Sequence, residues 1–122
     1  MDNKDILSMD PLKLIDWIKE EFVVEIPAEI NTTEDMENAA KLLLKLSSSY
    51  SFLSMALARA KRNVRVLKRE DKKTEAEDMI DRRDILHHMT EVVKQAYGAV
   101  SRSVTIKIEN NRELQMSGYV KQ

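Results

Sequence analysis

Cysteine is absent from this chain of 122 residues. Its absence excludes disulfides, thiolate metal sites and thiol nucleophiles, and it suits a cytoplasmic setting. Glycine and proline occur twice each. With glycine only at positions 98 and 118, no glycine-rich phosphate loop and no dinucleotide fingerprint can be built. So few turn formers also disfavour a β fold in favour of helices. No apolar run approaches the ~20 residues that a membrane span needs. The opening MDNKDILSMD is acidic and mixed, unlike a signal or transit peptide. The two histidines, His87 and His88, are adjacent, and without cysteine they complete no nucleophile–base–orienter set. Together these gaps lead us to expect a non-enzymatic cytoplasmic protein with no cofactor and no membrane segment.

What the chain does have is a seven-residue apolar repeat. Met36, Ala39, Leu43, Leu46, Tyr50, Leu53, Leu57, Ala60, Val64 and Leu67 alternate in steps of three and four. That spacing is the seam of a long helix that must bury one stripe against another helix. We read Leu43, Leu46, Tyr50, Leu53, Leu57 and Val64 as the seam of a core or of an oligomer. At this length a single domain is expected, large enough to bury roughly two-thirds of its unfolded surface.

The chain divides into three helices. Asp10 and Pro11 open the first, over residues 10–22, with Asp10 as cap and Pro11 at the first helical position. Leu14, Ile15, Ile18 and Phe22 form its apolar face, with Trp17 beside it. Residues 23–31 read as an extended connector, because β-branched Val23, Val24 and Ile26 precede Pro27. The second helix covers 32–70, capped at Asn31 or Thr32, and continues through the serine-rich stretch 47–51. The third covers 74–112, where Thr74 and Glu77 match a capping box. Its face comprises Met79, Leu86, Met89, Val93, Ala96, Val100 and Val104, widened by Ile85, Val92, Ala99 and Ile106. Residues 104–108 alternate as a strand would, but Val100, Val104 and Ile108 also share a helical face, and helix is the reading adopted. Residues 113–122 read as a flexible tail, with Gly118 as a stop.

The turn near residue 72 has neither glycine nor proline, so one unbroken helix over 33–110 stays open. Matching apolar lengths on either side favour a fold-back. The expected fold is therefore all-α: a long antiparallel, coiled-coil-like helical hairpin with a shorter N-terminal helix packed on it.

Charge is segregated along the chain. Residues 1–40 carry 11 acidic and 3 basic side chains, net −8, whereas residues 41–73 carry 10 basic and 2 acidic, net +8. Such a layout serves a charged partner or self-association, unless the acidic part covers the basic part in the fold. The basic run is Arg59, Lys61, Arg62, Arg65, Lys68, Arg69, Lys72 and Lys73. Positions 62, 65, 69 and 73 fall near one helical side, as contacts along a phosphate backbone require. The run has no aromatic residue, so it offers no base-stacking platform. The acidic candidates are Asp16, Glu20, Glu21 and Glu25, facing a basic partner surface.

Two weaker constellations deserve weighing. Asp81, Asp84, His87, His88 and Glu91 include carboxylate–imidazole pairs four apart. A di-iron bundle needs a Glu-x-x-His from each of two helices and two further glutamates, and the second helix supplies no facing carboxylate. Glu34/Glu37 and Glu75/Asp78 faintly resemble the acidic patches of all-helical nucleotide pyrophosphohydrolases. In a hairpin they fall at opposite ends of the second helix, about 55 Å apart at 1.5 Å per residue, too far for one metal site.

The string SSSYSFLSMALARAKRNVRVLKRE, followed by AEDMIDRRD and SRSVTIKIENNREL, resembles small uncharacterised helical proteins of bacteriophages of Gram-positive bacteria. The resemblance spans most of residues 35–115 and lies in general texture, without a catalytic motif. It implies an accessory protein that acts on replication or recombination machinery or inhibits a host defence complex, and it transfers no functional residue. The functional expectation is macromolecular binding through helix faces and segregated charge. A protein partner is the first reading and nucleic acid at the basic hairpin tip the alternative, with the chain acting as a homodimer or larger homo-oligomer.

Overall fold

The computed structural model describes residues 2, 5–22 and 29–120, the last six by backbone alone. A 3-10 turn at Ile6–Ser8 leads into α1 (Pro11–Glu21), followed by α2 (Thr33–Arg69) and α3 (Lys73–Val120). No strand occurs among the described residues. Helices α2 and α3 fold back on one another as an antiparallel hairpin, and α1 packs on it. The expected connector lies mostly outside the described residues, since 23–28 are not among them.

The three helices begin in different ways. Asp10 precedes α1 with Pro11 at the first position, but its carboxylate makes no capping bond, contrary to expectation. At α2 the cap is Thr32: its hydroxyl accepts from the Asp35 N–H at 3.0 Å. The Asp35 carboxylate returns a bond to the Thr32 N–H at 3.1 Å, and also accepts from the Asn31 N–H at 3.0 Å. Three backbone N–H donors are thereby satisfied. These bonds hold the Asp35 carboxyl below the ordinary carboxylate range, the one from Asn31 first. The serine-rich stretch stays helical. Ser49 turns its hydroxyl back to the Lys45 carbonyl at 2.8 Å, so its polar group is met without leaving the helix.

The chain reverses over Glu70, Asp71 and Lys72. Asp71 adopts φ 58°, a left-handed conformation. The Lys72 N–H then reaches the Leu67 carbonyl at 3.0 Å and the Asp71 N–H the Lys68 carbonyl at 3.2 Å. That pair of bonds is a Schellman closure, with aspartate at the position that glycine usually holds. The Lys72 carbonyl at once accepts from the Ala76 N–H at 2.9 Å. The third helix therefore starts at Lys73, and Thr74 lies inside its first turn. The expected Thr74–Glu77 box is not the start, because the closure of α2 itself delivers the first acceptor of α3. At the other end α3 continues to Val120, through the segment expected as a tail and past Gly118. Residues 109–117 contain no proline or glycine to stop it.

The hairpin core is a ladder of fully buried side chains: Leu46 and Leu53 of α2 against Leu86, Val93 and Val100 of α3, with Ile6 and Leu14 closing it from the N-terminal segment. Small residues Ala39, Ala56 and Ala60 are also buried, which lets backbones approach. The sequence repeat is thus consumed within the chain, with one exception. Tyr50 is 40% exposed, while its neighbour Ser49 is buried. Helix α1 packs along α3 and reaches α2 at Phe52, where Trp17, Phe22 and Phe52 cluster with centroids 5.6–6.3 Å apart. The buried stripe is broadened toward α1, and Tyr50 is left on the opposite rim.

Candidate cationic interface at the hairpin tip

The basic run lies at the end of α2 where the hairpin turns. Arg62, Arg65, Lys68, Arg69, Lys72 and Lys73 are exposed there, as is Lys61, and Arg59 is half-buried. Along α2, Arg62, Arg65 and Arg69 share the outer side, one turn apart in steps of three and four. Lys73 does not extend that row as expected, because the chain reverses before it and places it on α3. Lys61, Arg65 and Lys68 form a second row beside α3. With Val64, Arg83, Asp84 and His87 they line an open groove of about 450 Å³.

Three ion pairs occur among the described residues, and they sort the cations. Lys72 bridges the turn, 3.2 Å from Glu70 and 4.0 Å from Glu75. The bond to Glu70 raises its ammonium above the ordinary lysine range. Lys72 thus secures the reversal rather than presenting a bare charge. Arg83 pairs with Asp84 at 3.1 Å. Arg62, Arg65, Lys68 and Arg69 meet no carboxylate among the described residues.

The described part of the acidic segment pairs with none of these cations. Asp16, Glu20 and Glu21 are exposed on α1 and enter no ion pair among the described residues. Glu25 lies outside the described residues. Helix α1 runs along the middle of the hairpin: Phe22 sits by Phe52, and at the other end the Met9 carbonyl accepts from the Arg82 Nε at 2.6 Å. Opposite charges are therefore displayed at different places on one molecule.

The remaining candidates do not assemble. Asp84 is turned to Arg83 rather than to His88, and no cluster of three metal-ligating side chains occurs among the described residues. Glu34 and Glu75 stand in the first turns of α2 and α3, at opposite ends of α2. No described helix is long and apolar enough to cross a membrane. What sequence reasoning missed is the groove with Arg83 and His87, since its lining requires the register of the two helices. No family model matches the chain, and no curated protein or solved structure matches it.

Proposed function

We propose that this protein is a non-enzymatic accessory protein that acts by binding, and that its cationic hairpin tip engages an acidic surface of a macromolecular partner. The observation that carries the reading is the row Arg62, Arg65, Arg69, exposed and without a carboxylate partner among the described residues. Three guanidiniums on one side of a rigid helix span about 10 Å at 1.5 Å per residue, a fixed pattern that suits bidentate capture of carboxylates. The resemblance to small phage proteins supports a partner among nucleic-acid-processing or defence complexes of a bacterial host. Asp16, Glu20, Glu21 and Glu25 form the complementary half, offered to a basic surface. Self-association belongs to the same proposal: Leu44 and Met55 are 74% and 53% exposed on the outer face of α2.

Direct nucleic-acid binding is the second reading, favoured by the same row of arginines. The carboxylates of Glu70, Asp71, Glu75, Glu77 and Asp78 at the same end work against a phosphate backbone. Fluorescence anisotropy with labelled DNA and RNA at ~50 and ~200 mM salt separates the two: several phosphate contacts weaken binding about tenfold or more over that range. Absence of binding at the lower salt leaves the protein partner. Changing Arg62, Arg65 and Arg69 together to glutamate, with no loss of partner or polyanion binding, would falsify the tip as the interface.

A further inference from the structure

The hairpin has two long faces, and α1 occupies one of them. Residues two apart on a helix point about 200° apart, so Tyr50 stands on the flank opposite Phe52 and α1. That flank carries a continuous row on α2: Ser47, Tyr50, Ser54, Lys61, Arg65 and Lys68, spaced 3, 4, 7, 4 and 3. Helix α3 faces it with Arg83, His87, Thr90, Lys94 and Tyr97, spaced 4, 3, 4 and 3. The cleft between the rows opens twice. Toward the tip is the cationic groove of about 450 Å³. Farther along is a mainly apolar depression of about 240 Å³ walled by Ser47, Tyr50, Lys94 and Tyr97.

We infer that this cleft seats one amphipathic helix of an acidic protein partner. Carboxylates on that helix meet Lys61, Arg65 and Lys68, and an apolar side chain rests between Tyr50 and Tyr97. The inference rests on the proposed binding function and names the element recognised. Three observations carry it. The first is charge: Arg83 is answered by Asp84, while Lys61, Arg65 and Lys68 have no carboxylate partner among the described residues. The second is composition: the tyrosines are 40% and 41% exposed, and they wall the mainly apolar depression. That opening thus offers aromatic rims to an apolar side chain. The third is length. From Tyr50 to Arg65 is about 22 Å along α2, which a helix of about 15 residues covers. A fourth helix laid there completes the bundle packing that α1 begins on the other face, in the helix-in-groove mode of peptide recognition. An extended phosphate chain fits less well, since the second opening is mostly apolar and holds Lys94 as its single cation.

The test uses fluorescein-labelled peptides of about 16 residues with the full-length protein. One carries leucine and glutamate at helical i, i+3, i+4, i+7 spacing. The second has the same composition scrambled, and the third has lysine in place of glutamate. The patterned acidic peptide is expected to bind at least about tenfold tighter than either control. Amide shifts should then map to residues 47–68 and 83–97. Tyr50→Ala with Tyr97→Ala, or Lys61→Glu with Lys68→Glu, should each lower affinity about tenfold. Lys19→Glu, exposed on α1 on the opposite face, should change it less than about threefold. Trp17 emission and far-UV circular dichroism check that each variant is folded. Equal binding of patterned and scrambled peptides, no binding of either, or shifts confined to residues outside 47–68 and 83–97 overturns the inference. So does DNA that competes for the same amides. A solution mass above 14.1 kDa that returns to the monomer value in the tyrosine variant assigns the cleft to a second copy, and also overturns it. If the glutamate variant of Arg62, Arg65 and Arg69 loses polyanion binding while the tyrosine variant keeps every activity, the tip reading stands and the cleft reading falls.

Discussion

Asp71 carries the reversal of the chain in a conformation that costs an L-residue energy. Its φ of 58° is the single positive value at a non-glycine among the described residues. Aspartate tolerates that region better than most side chains, but glycine does so without the Cβ clash. Asp71→Gly is expected to raise stability by about 0.5–1 kcal/mol, and Asp71→Val to lower it by about 1 kcal/mol or more, measured by urea denaturation. A glycine variant no more stable than the parent would rule out the left-handed turn. Asp35 carries the other residue-scale prediction. Its folded carboxyl titrates below its unfolded value of about 3.9, so its contribution is present above that value and is lost as pH falls through the folded one. The stability gap between the parent and Asp35→Asn should therefore be largest near neutrality and close on acidification. A gap that stays constant down through the carboxylate range would count against the capping box. Thr32 was legible as one of two candidate caps, with Asn31, because capping chemistry acts within one turn. Asp71 was not, because no turn-forming residue marks the reversal.

At the scale of elements, period predicts burial only where a second element is present to cover it. Leu86 lies on the line between α2 and α3 and is fully buried, whereas Ile106, seven-residue kin of Ile85 and Ala99, is 56% exposed. The widening positions of α3 need a helix beside them. The 11 residues of α1 reach only the middle of a hairpin whose arms have 37 and 48 residues. Leu86→Ala should cost about 2–5 kcal/mol and Ile106→Ala less than about 0.5 kcal/mol in the same denaturation assay. Equal costs would show the outer face of α3 to be covered in solution. The same argument explains Tyr50: the repeat fixed its place on the helix, and the position of α1 decided which side of the repeat was buried.

For the whole molecule, the docking of α1 sets which charges are displayed and which face is left open. Trp17 is the chain's single tryptophan and lies 6.1 Å from Phe52, centroid to centroid, so its emission reports that docking. Phe52→Ala should shift Trp17 emission to the red and cost about 2 kcal/mol, while the helical signal of the hairpin persists. Unchanged emission would mean that α1 is held elsewhere. Composition, the seven-residue repeat and the caps by themselves determined an all-helical chain with long paired helices, since these effects act within a few turns of backbone. They also determined the −8 and +8 blocks. The tertiary structure alone decided that Asp16, Glu20 and Glu21 stand clear of the basic tip, that Lys73 leaves the arginine row, and that depressions open between α2 and α3 beside Arg65 and beside Tyr97. Each of these depends on the register between helices distant in sequence, which is set by how side chains from both fill one core.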